Sequence, residues 1–221
     1  MQNKKIDIIN EILKHKIIAI VRGVEKEKLI PLAEAMYDGG VRFLEITYSA
    51  DGSVSNAETA ERIKLLCEHF EGRMLIGAGT VLDIEQVELT KKAGGSFIIS
   101  PDAYDEVIKK TNELEMVSIP GVYTPSEIRG AVRAGADFVK LFPATQLGPD
   151  YIKAIKAPLS NIRLLAVGGV NPENMSDFEK AGACGFGIGS NIIDRKALDE
   201  EDYERITELA RKYTSQIGVR G

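Results

Sequence analysis

The 221 residues suffice for one sizeable core, and a chain that is 44% hydrophobic and 28% charged is composed like a folded globular domain rather than a disordered one. A formal net charge of -5, with 28 Lys and Arg scattered among 33 Asp and Glu, lacks the basic footprint that nucleic acid or an anionic membrane demands, so a small-molecule partner is expected. The two cysteines, Cys67 and Cys184, form no CxxC pair; neither a disulfide framework nor a metal site is expected, and a reducing cytoplasm fits.

The chain opens on MQNKKIDIINEILKHK, an amphipathic stretch predicting a helix with Ile6, Ile9 and Leu13 on one face and Ile12 beside them. It has no apolar signal core, and no segment reaches the roughly 18 apolar residues of a membrane span, so export is not expected. Short apolar runs follow in order: IIAIVRG, RFLEITY, MLIGAGT, SFIISPD, MVSIPGV, DFVKLFPA, RLLAVGG and GFGIGSN, each trailed by a segment of helical period. Their nearly continuous apolar character suits parallel strands covered on both faces. Helix signals punctuate the gaps: Ser126 and Glu127 after Pro125 with Gly135 as a stop, and Asn171 and Pro172 ahead of a segment ending at Gly182. The last helix presents Tyr203, Ile206, Leu209, Ala210, Tyr213 and Ile217 on one face. No linker divides the alternation. The expectation is one α/β domain over residues 1–221, a single (β/α)8 TIM barrel with an extra N-terminal helix; the rival is an open doubly wound sheet, which the lack of a GxGxxG fingerprint disfavours.

Active sites of parallel barrels lie at the C-terminal ends of the strands, which draws attention to Arg22, Glu45, Thr47, Thr80 and Lys140. Strand alternation places Phe138, Lys140 and Phe142 on one face, and Phe43, Glu45 and Thr47 on one face of their own strand. A lysine in a strand covered on both sides cannot easily reach water. Burial then favours its neutral amine, a nucleophile toward a carbonyl, and the resulting imine is an electron sink that needs a nearby proton carrier. Glu45 is the candidate for that role; its bland alternative is a buried counter-ion to Lys140 or Arg22. Arg22 itself could hold a carboxylate or phosphate, or serve as a counter-ion. The seventh run ends in Gly168 and Gly169 and the eighth in Gly187, Gly189 and Ser190, where barrels of this kind often bind phosphate through bare backbone amides. His15 and His69 lie in predicted helices without ligand spacing and receive no role.

The segments IIAIVRG, GGVRFLEIT, IGAGTVL, FIISP, IPGVYTPSE, VKLFPA, GGV and GIGS, in this order, resemble the family of 2-dehydro-3-deoxy-phosphogluconate (KDPG) and 4-hydroxy-2-oxoglutarate (KHG) aldolases over nearly the whole chain. The resemblance implies a class I, Schiff-base lyase in which Lys140 forms the imine and Glu45 is the general acid/base. It places Thr80, Pro101 and Phe142 around pyruvate, and Gly168, Gly169 and Ser190 near phosphate. It further implies a cytoplasmic homotrimer of the Entner-Doudoroff pathway with no cofactor and no metal. The implied reaction is cleavage of 2-dehydro-3-deoxy-6-phosphogluconate to pyruvate and glyceraldehyde 3-phosphate, with 4-hydroxy-2-oxoglutarate as a second substrate. Two departures bear on the substrate. Several members carry a carboxylate-binding arginine where this chain has Ser49, and gluconate-type members commonly have threonine where this chain has Val167. AVGG around Val167 looks more like the aldolase for the galactonate epimer. A phosphate-binding barrel without catalysis and a barrel isomerase using Glu45 as base are the readings from other classes.

Overall fold

The apolar runs form short parallel strands and the amphipathic segments form helices in a computed structural model that describes residues 4–217. Residues 1–3 and 218–221, the ends of the expected domain, lie outside the described residues. After α1 (Lys4–His15) come β1 (Ile17–Val21), α2 (Lys26–Asp38), β2 (Phe43–Thr47), α3 (Asn56–His69), β3 (Leu75–Gly79), α4 (Ile84–Lys92), β4 (Phe97–Ile99), α5 (Asp105–Glu113) and β5 (Val117–Ile119). The second half holds β6 (Gly121–Val122), α6 (Pro125–Ala134), β7 (Val139–Leu141), α7 (Ala144–Lys156), β8 (Leu164–Val167), α8 (Met175–Ala181), β9 (Gly185–Ile188), α9 (Arg195–Asp199) and α10 (Tyr203–Thr214).

The strands form one sheet in the order β5-β4-β3-β2-β1-β9-β8-β7-β6, with every pairing parallel. Its two edge strands are halves of one chain segment. Pro120 separates them because it has no N–H to give a ladder, so Val117–Ile119 pairs with β4 while Gly121–Val122 pairs with β7. The run MVSIPGV, expected as one strand, is thus two short ones that bring the ends of the sheet together into a TIM-like barrel.

Pleat alternation sorts the side chains into two layers. Ile17, Ala19, Val21, Leu44, Ile46, Val139, Leu141, Leu164 and Ala166 face outward and pack with the helices in the larger core cluster. Ile18, Phe43, Phe97, Ile99, Val117, Ile119, Phe138, Leu165 and Val167 face the barrel axis. The interior cluster is completed by Ile8, Ile9 and Ile12, so α1 seals the N-terminal end of the barrel. Lys5 Nζ fixes it there, 2.8 Å from the Asp137 carboxylate just ahead of β7, and that carboxylate also accepts from the Ser118 N–H at 2.8 Å. The expected face of α1 needs one correction: Ile6 is 52% exposed, and Ile8 takes its place against the barrel. Ile8 and Ile9 lie one turn before Ile12, and together they form the helix face that meets the barrel axis.

Helix ends follow the local signals closely. Thr124 caps α6 in a reciprocal box with Glu127, Pro125 occupies its first turn, and Gly135 ends it at φ 110°. Ahead of α8, Asn171 and Asn174 exchange backbone-to-side-chain hydrogen bonds of 2.9 and 3.0 Å. On α10, Ile206, Ala210 and Tyr213 are buried as expected, while Tyr203, Leu209 and Ile217 are partly buried against the same core, Ile217 just beyond the helix end. Among the described residues no helix is long and apolar enough to cross a membrane.

Candidate active site

The strand faces expected from alternation are those observed, and they bring Lys140 and Glu45 into one space. Phe43 and Phe138 belong to the interior cluster, so the residues two further along, Glu45 on β2 and Lys140 on β7, point the same way one layer nearer the C-terminal end. Glu45 is 1% exposed and is registered between Ile20 of β1 and Gly77 of β3. The room for its carboxyl comes from Gly79, where an added Cβ would stand 1.5 Å from Glu45 Oε1. Glu45 Oε2 has no hydrogen-bond partner among the described residues, which argues against a mere structural counter-ion. Lys140 is largely buried, and its Nζ lies 5.2 Å from the centre of the Phe142 ring, itself 48% exposed at the mouth.

Burial sets the electrostatics of the pair. Desolvation pushes the Glu45 carboxyl above its ordinary pKa, with the charges of Lys140 and Arg22 opposing the shift. Desolvation likewise pulls the Lys140 ammonium below its ordinary value; Glu45 opposes this, and Arg22 adds to it. Each group is therefore moved toward its neutral form, the state in which an amine attacks a carbonyl and from which a carboxyl can give a proton.

The other expected residues gather at the same mouth. Arg22 Nη2 donates to Thr80 Oγ1 at 3.1 Å, and Thr80, directly after β3, holds φ 52°, a sparsely populated conformation for a β-branched residue. Thr47 Oγ1 reaches the Val21 carbonyl at 3.4 Å. Pro101 and Phe142 line a cavity of about 420 Å³ together with Gly121 and Tyr123. Gly168 and Gly169 take φ 95° and 74°; a Cβ on Gly168 would press on the Phe142 ring at 3.1 Å. Gly189 and Ser190 share a cavity of about 370 Å³ with Arg22.

Residues 8–209 match the family model described as KDPG and KHG aldolase. The chain belongs to that family. Over 205 residues it is 37% identical to the 2-dehydro-3-deoxy-6-phosphogalactonate aldolase of Escherichia coli (strain K12), covering 92% of this chain and 97% of the relative. It is 30% identical over 213 residues to the KHG/KDPG aldolase of the same strain, covering 96% and 97%. The KDPG aldolase of Legionella pneumophila, solved with pyruvate captured as a covalent carbinolamine, superposes with a TM-score of 0.80 at 29% identity, covering 92% of this chain and 96% of that one. The chain is thus an aldolase, a carbon-carbon lyase.

Of the two departures noted in the sequence, Ser49 lies just beyond β2 and Val167 at the end of β8. Ser49 is tied into its own loop, hydrogen-bonded to Asp51 and, at 2.8 Å, to Ser53 Oγ. Tyr48, on the outward face, is buried with its hydroxyl donating to the Gln86 carbonyl at 3.1 Å. Val167 faces the axis above Leu165, the partner of Lys140 in the ladder, and a Cβ on Gly187 would meet its Cγ2 at 2.9 Å.

Sequence reasoning overlooked three residues at this mouth. Thr145, in the first turn of α7, holds the Gly168 carbonyl from both its backbone N–H (3.2 Å) and its hydroxyl (3.1 Å). Arg62 on α3 and Arg195 on α9 each reach back to the turn after β1. Thr145 could have been found from its place just past VKLFPA. The arginines carry no local signal, because both sit on helices far in sequence from the turn they hold.

Proposed function

We propose that this aldolase reversibly cleaves a six-carbon 2-dehydro-3-deoxy-6-phospho sugar acid to pyruvate and glyceraldehyde 3-phosphate through an imine on Lys140. The observation that carries the reading is the convergence of Lys140 and Glu45 on one buried space at the mouth, both displaced toward neutrality by desolvation. Lys140 Nζ attacks C2, and the neutral Glu45 carboxyl gives its proton to the departing hydroxyl, so that loss of water leaves the protonated imine and a Glu45 carboxylate. Glu45 takes the proton of the C4 hydroxyl, the C3-C4 bond breaks, and its electrons pass to the imine nitrogen as the enamine forms. The three-carbon aldehyde departs, Glu45 returns a proton to C3, and water hydrolyses the imine to release pyruvate. Gly168, Gly169, Gly189 and Ser190 would receive the phosphate. With Ser49 turned into its loop, Arg22 and Thr80, already hydrogen-bonded to each other, take the pyruvate carboxylate; Thr47, Pro101 and Phe142 frame the substrate beside Lys140.

Both C4 epimers fit this chemistry, and the smaller 4-hydroxy-2-oxoglutarate would use the same groups without the phosphate site. The gluconate substrate follows the family at large. The galactonate substrate is favoured by an apolar Val167 on the axial face beyond Lys140, and by the identity to the galactonate-type relative. One lost or gained hydrogen bond near C4 is worth about 1 kcal/mol, enough to set an epimer preference of several-fold.

Borohydride reduction in the presence of pyruvate tests the chemistry: a stable adduct mapped to Lys140 is expected, and its absence together with no pyruvate release from any of the three substrates refutes the aldolase reading. Steady-state kcat/KM for the two epimers and the oxoglutarate then ranks the substrates. We further propose a cytoplasmic homotrimer. The exposed Tyr104 and Tyr123 beside the mouth supply an apolar surface for a neighbouring copy, and the two cysteines are unpaired. Light scattering gives the stoichiometry.

A further inference from the structure

Beyond β1 the chain turns through Arg22, Gly23 and Val24, and two arginines from remote helices grip that turn. Arg62 donates to the Val24 carbonyl at 3.2 Å. Arg195 donates to the Gly23 carbonyl through both Nη atoms, each at 3.1 Å. On the Arg195 side lies the cavity of about 370 Å³, whose walls are Ile20, Arg22, Gly189, Ser190, Ile193 and Arg195. Among the described residues two guanidinium groups and one hydroxyl line it, and no carboxylate does. The nearest acid to Arg195, Asp199, stands 3.9 Å from Nε and is not part of the wall.

A guanidinium carries five N–H bonds in a fixed plane. Two are taken by the Gly23 carbonyl and one, on Nε, leans toward Asp199, which leaves one on each Nη for a ligand. The carbonyl fixes the plane of the group beforehand, so less side-chain freedom is lost when an anion arrives. Arg22 also lines a second, separate cavity of about 350 Å³, together with Thr47, Ser49, Asp51 and Arg62. Arg22 thus stands between the carboxylate end of the site and a basic recess whose hydroxyl and glycine match a phosphoryl group.

We propose that Arg195 is a phosphate-binding residue of this aldolase, acting with Ser190 and the flank of Arg22 to select phosphorylated over unphosphorylated aldehydes. The inference rests on the phosphorylated-substrate reading above and adds the side chain that enforces it. Arg195 Nη donors supply charge-assisted, forked hydrogen bonds, which backbone amides of Gly189 and Ser190 cannot provide alone.

Two measurements test it. Calorimetric titration with inorganic phosphate should show binding to the unaltered protein and affinity about 10-fold or more weaker in Arg195→Ala, with partial recovery in Arg195→Lys, which keeps the charge and loses the fork. In the condensation direction, with pyruvate saturating, Arg195→Ala should raise KM for glyceraldehyde 3-phosphate by a similar factor and leave kcat/KM for unphosphorylated glyceraldehyde unchanged. Equal losses for both aldehydes would show that Arg195 only braces the turn, and phosphate affinity that is absent from the outset or unaltered by the substitution would equally overturn the proposal. If the protein condenses neither aldehyde while phosphate binding still depends on Arg195, the substrate reading fails and the anion site stands.

Discussion

At the N-terminal end of the barrel the inward positions are Ile18, Phe43, Phe97, Val117 and Phe138; one layer further, on the same strand faces, stand Ile20, Glu45, Ile99, Ile119 and Lys140. The first layer is closed over by Ile8, Ile9 and Ile12 of α1, and the second opens toward loops bearing Arg22, Thr80, Gly168 and Ser190. A step of two residues keeps the face and changes the layer. The apolar layer is therefore the floor of the site: it denies water to Glu45 and Lys140 from below, and that desolvation moves both groups toward neutrality.

Breaking the charged layer should have the largest effect. Glu45→Gln is expected to lower kcat by ~10²–10⁴-fold, the usual range for removing a general acid/base, while a borohydride adduct with pyruvate still forms on Lys140. Equal loss of adduct and turnover would mean that Glu45 serves the fold rather than the proton transfers.

Breaking the floor acts on stability first. Ile12 is fully buried under the barrel, and Ile12→Ala should cost roughly 2–5 kcal/mol in denaturant unfolding through lost burial and the cavity left behind. A loss well below that range would show that α1 does not seal the interior. Between the two layers, Gly79→Ala places a Cβ where the Glu45 carboxyl now lies, so overpacking of about 1–3 kcal/mol and a lowered kcat should appear together. Stability loss with kcat intact would mean the carboxyl relocates without consequence.

The smallest effects are in pH dependence. Arg22 lowers the pKa of Lys140 and Glu45 raises it. The rate of imine trapping should rise with pH as Lys140 loses its proton, along a limb below the ordinary lysine value. Arg22→Ala should move that limb to higher pH, and Glu45→Gln should move it to lower pH. Shifts of the same sign in both variants would contradict the assigned couplings. The folded-state pKa of Glu45 lies above its unfolded value, so its favourable contribution to stability is present at low pH and lost as pH rises through the folded pKa. Glu45→Gln removes that loss, and its melting temperature relative to the parent should rise from acid to neutral pH.

Much of this molecule is legible in its residues because most of its decisions are local or periodic. The strand runs, the inward phase of Phe138 and Lys140, the stop at Gly135 and the polar residues at strand ends each follow from spacing within a few positions. Where reading failed, a distant partner decided. The face of α1 depends on the barrel mouth it covers, so Ile8 rather than Ile6 turns inward; the division of the fifth run depends on two different neighbours competing for either side of Pro120.

By itself, then, the sequence determined a parallel barrel with a lysine and a glutamate on inward faces, since alternation and covered-strand composition are properties of the chain alone. Only the tertiary structure decided how those two groups ionise, because desolvation belongs to the closed interior and to the space that Gly79 leaves. It also brought Arg195 and Arg62 to the turn after β1, contacts across long sequence separations that no local pattern encodes.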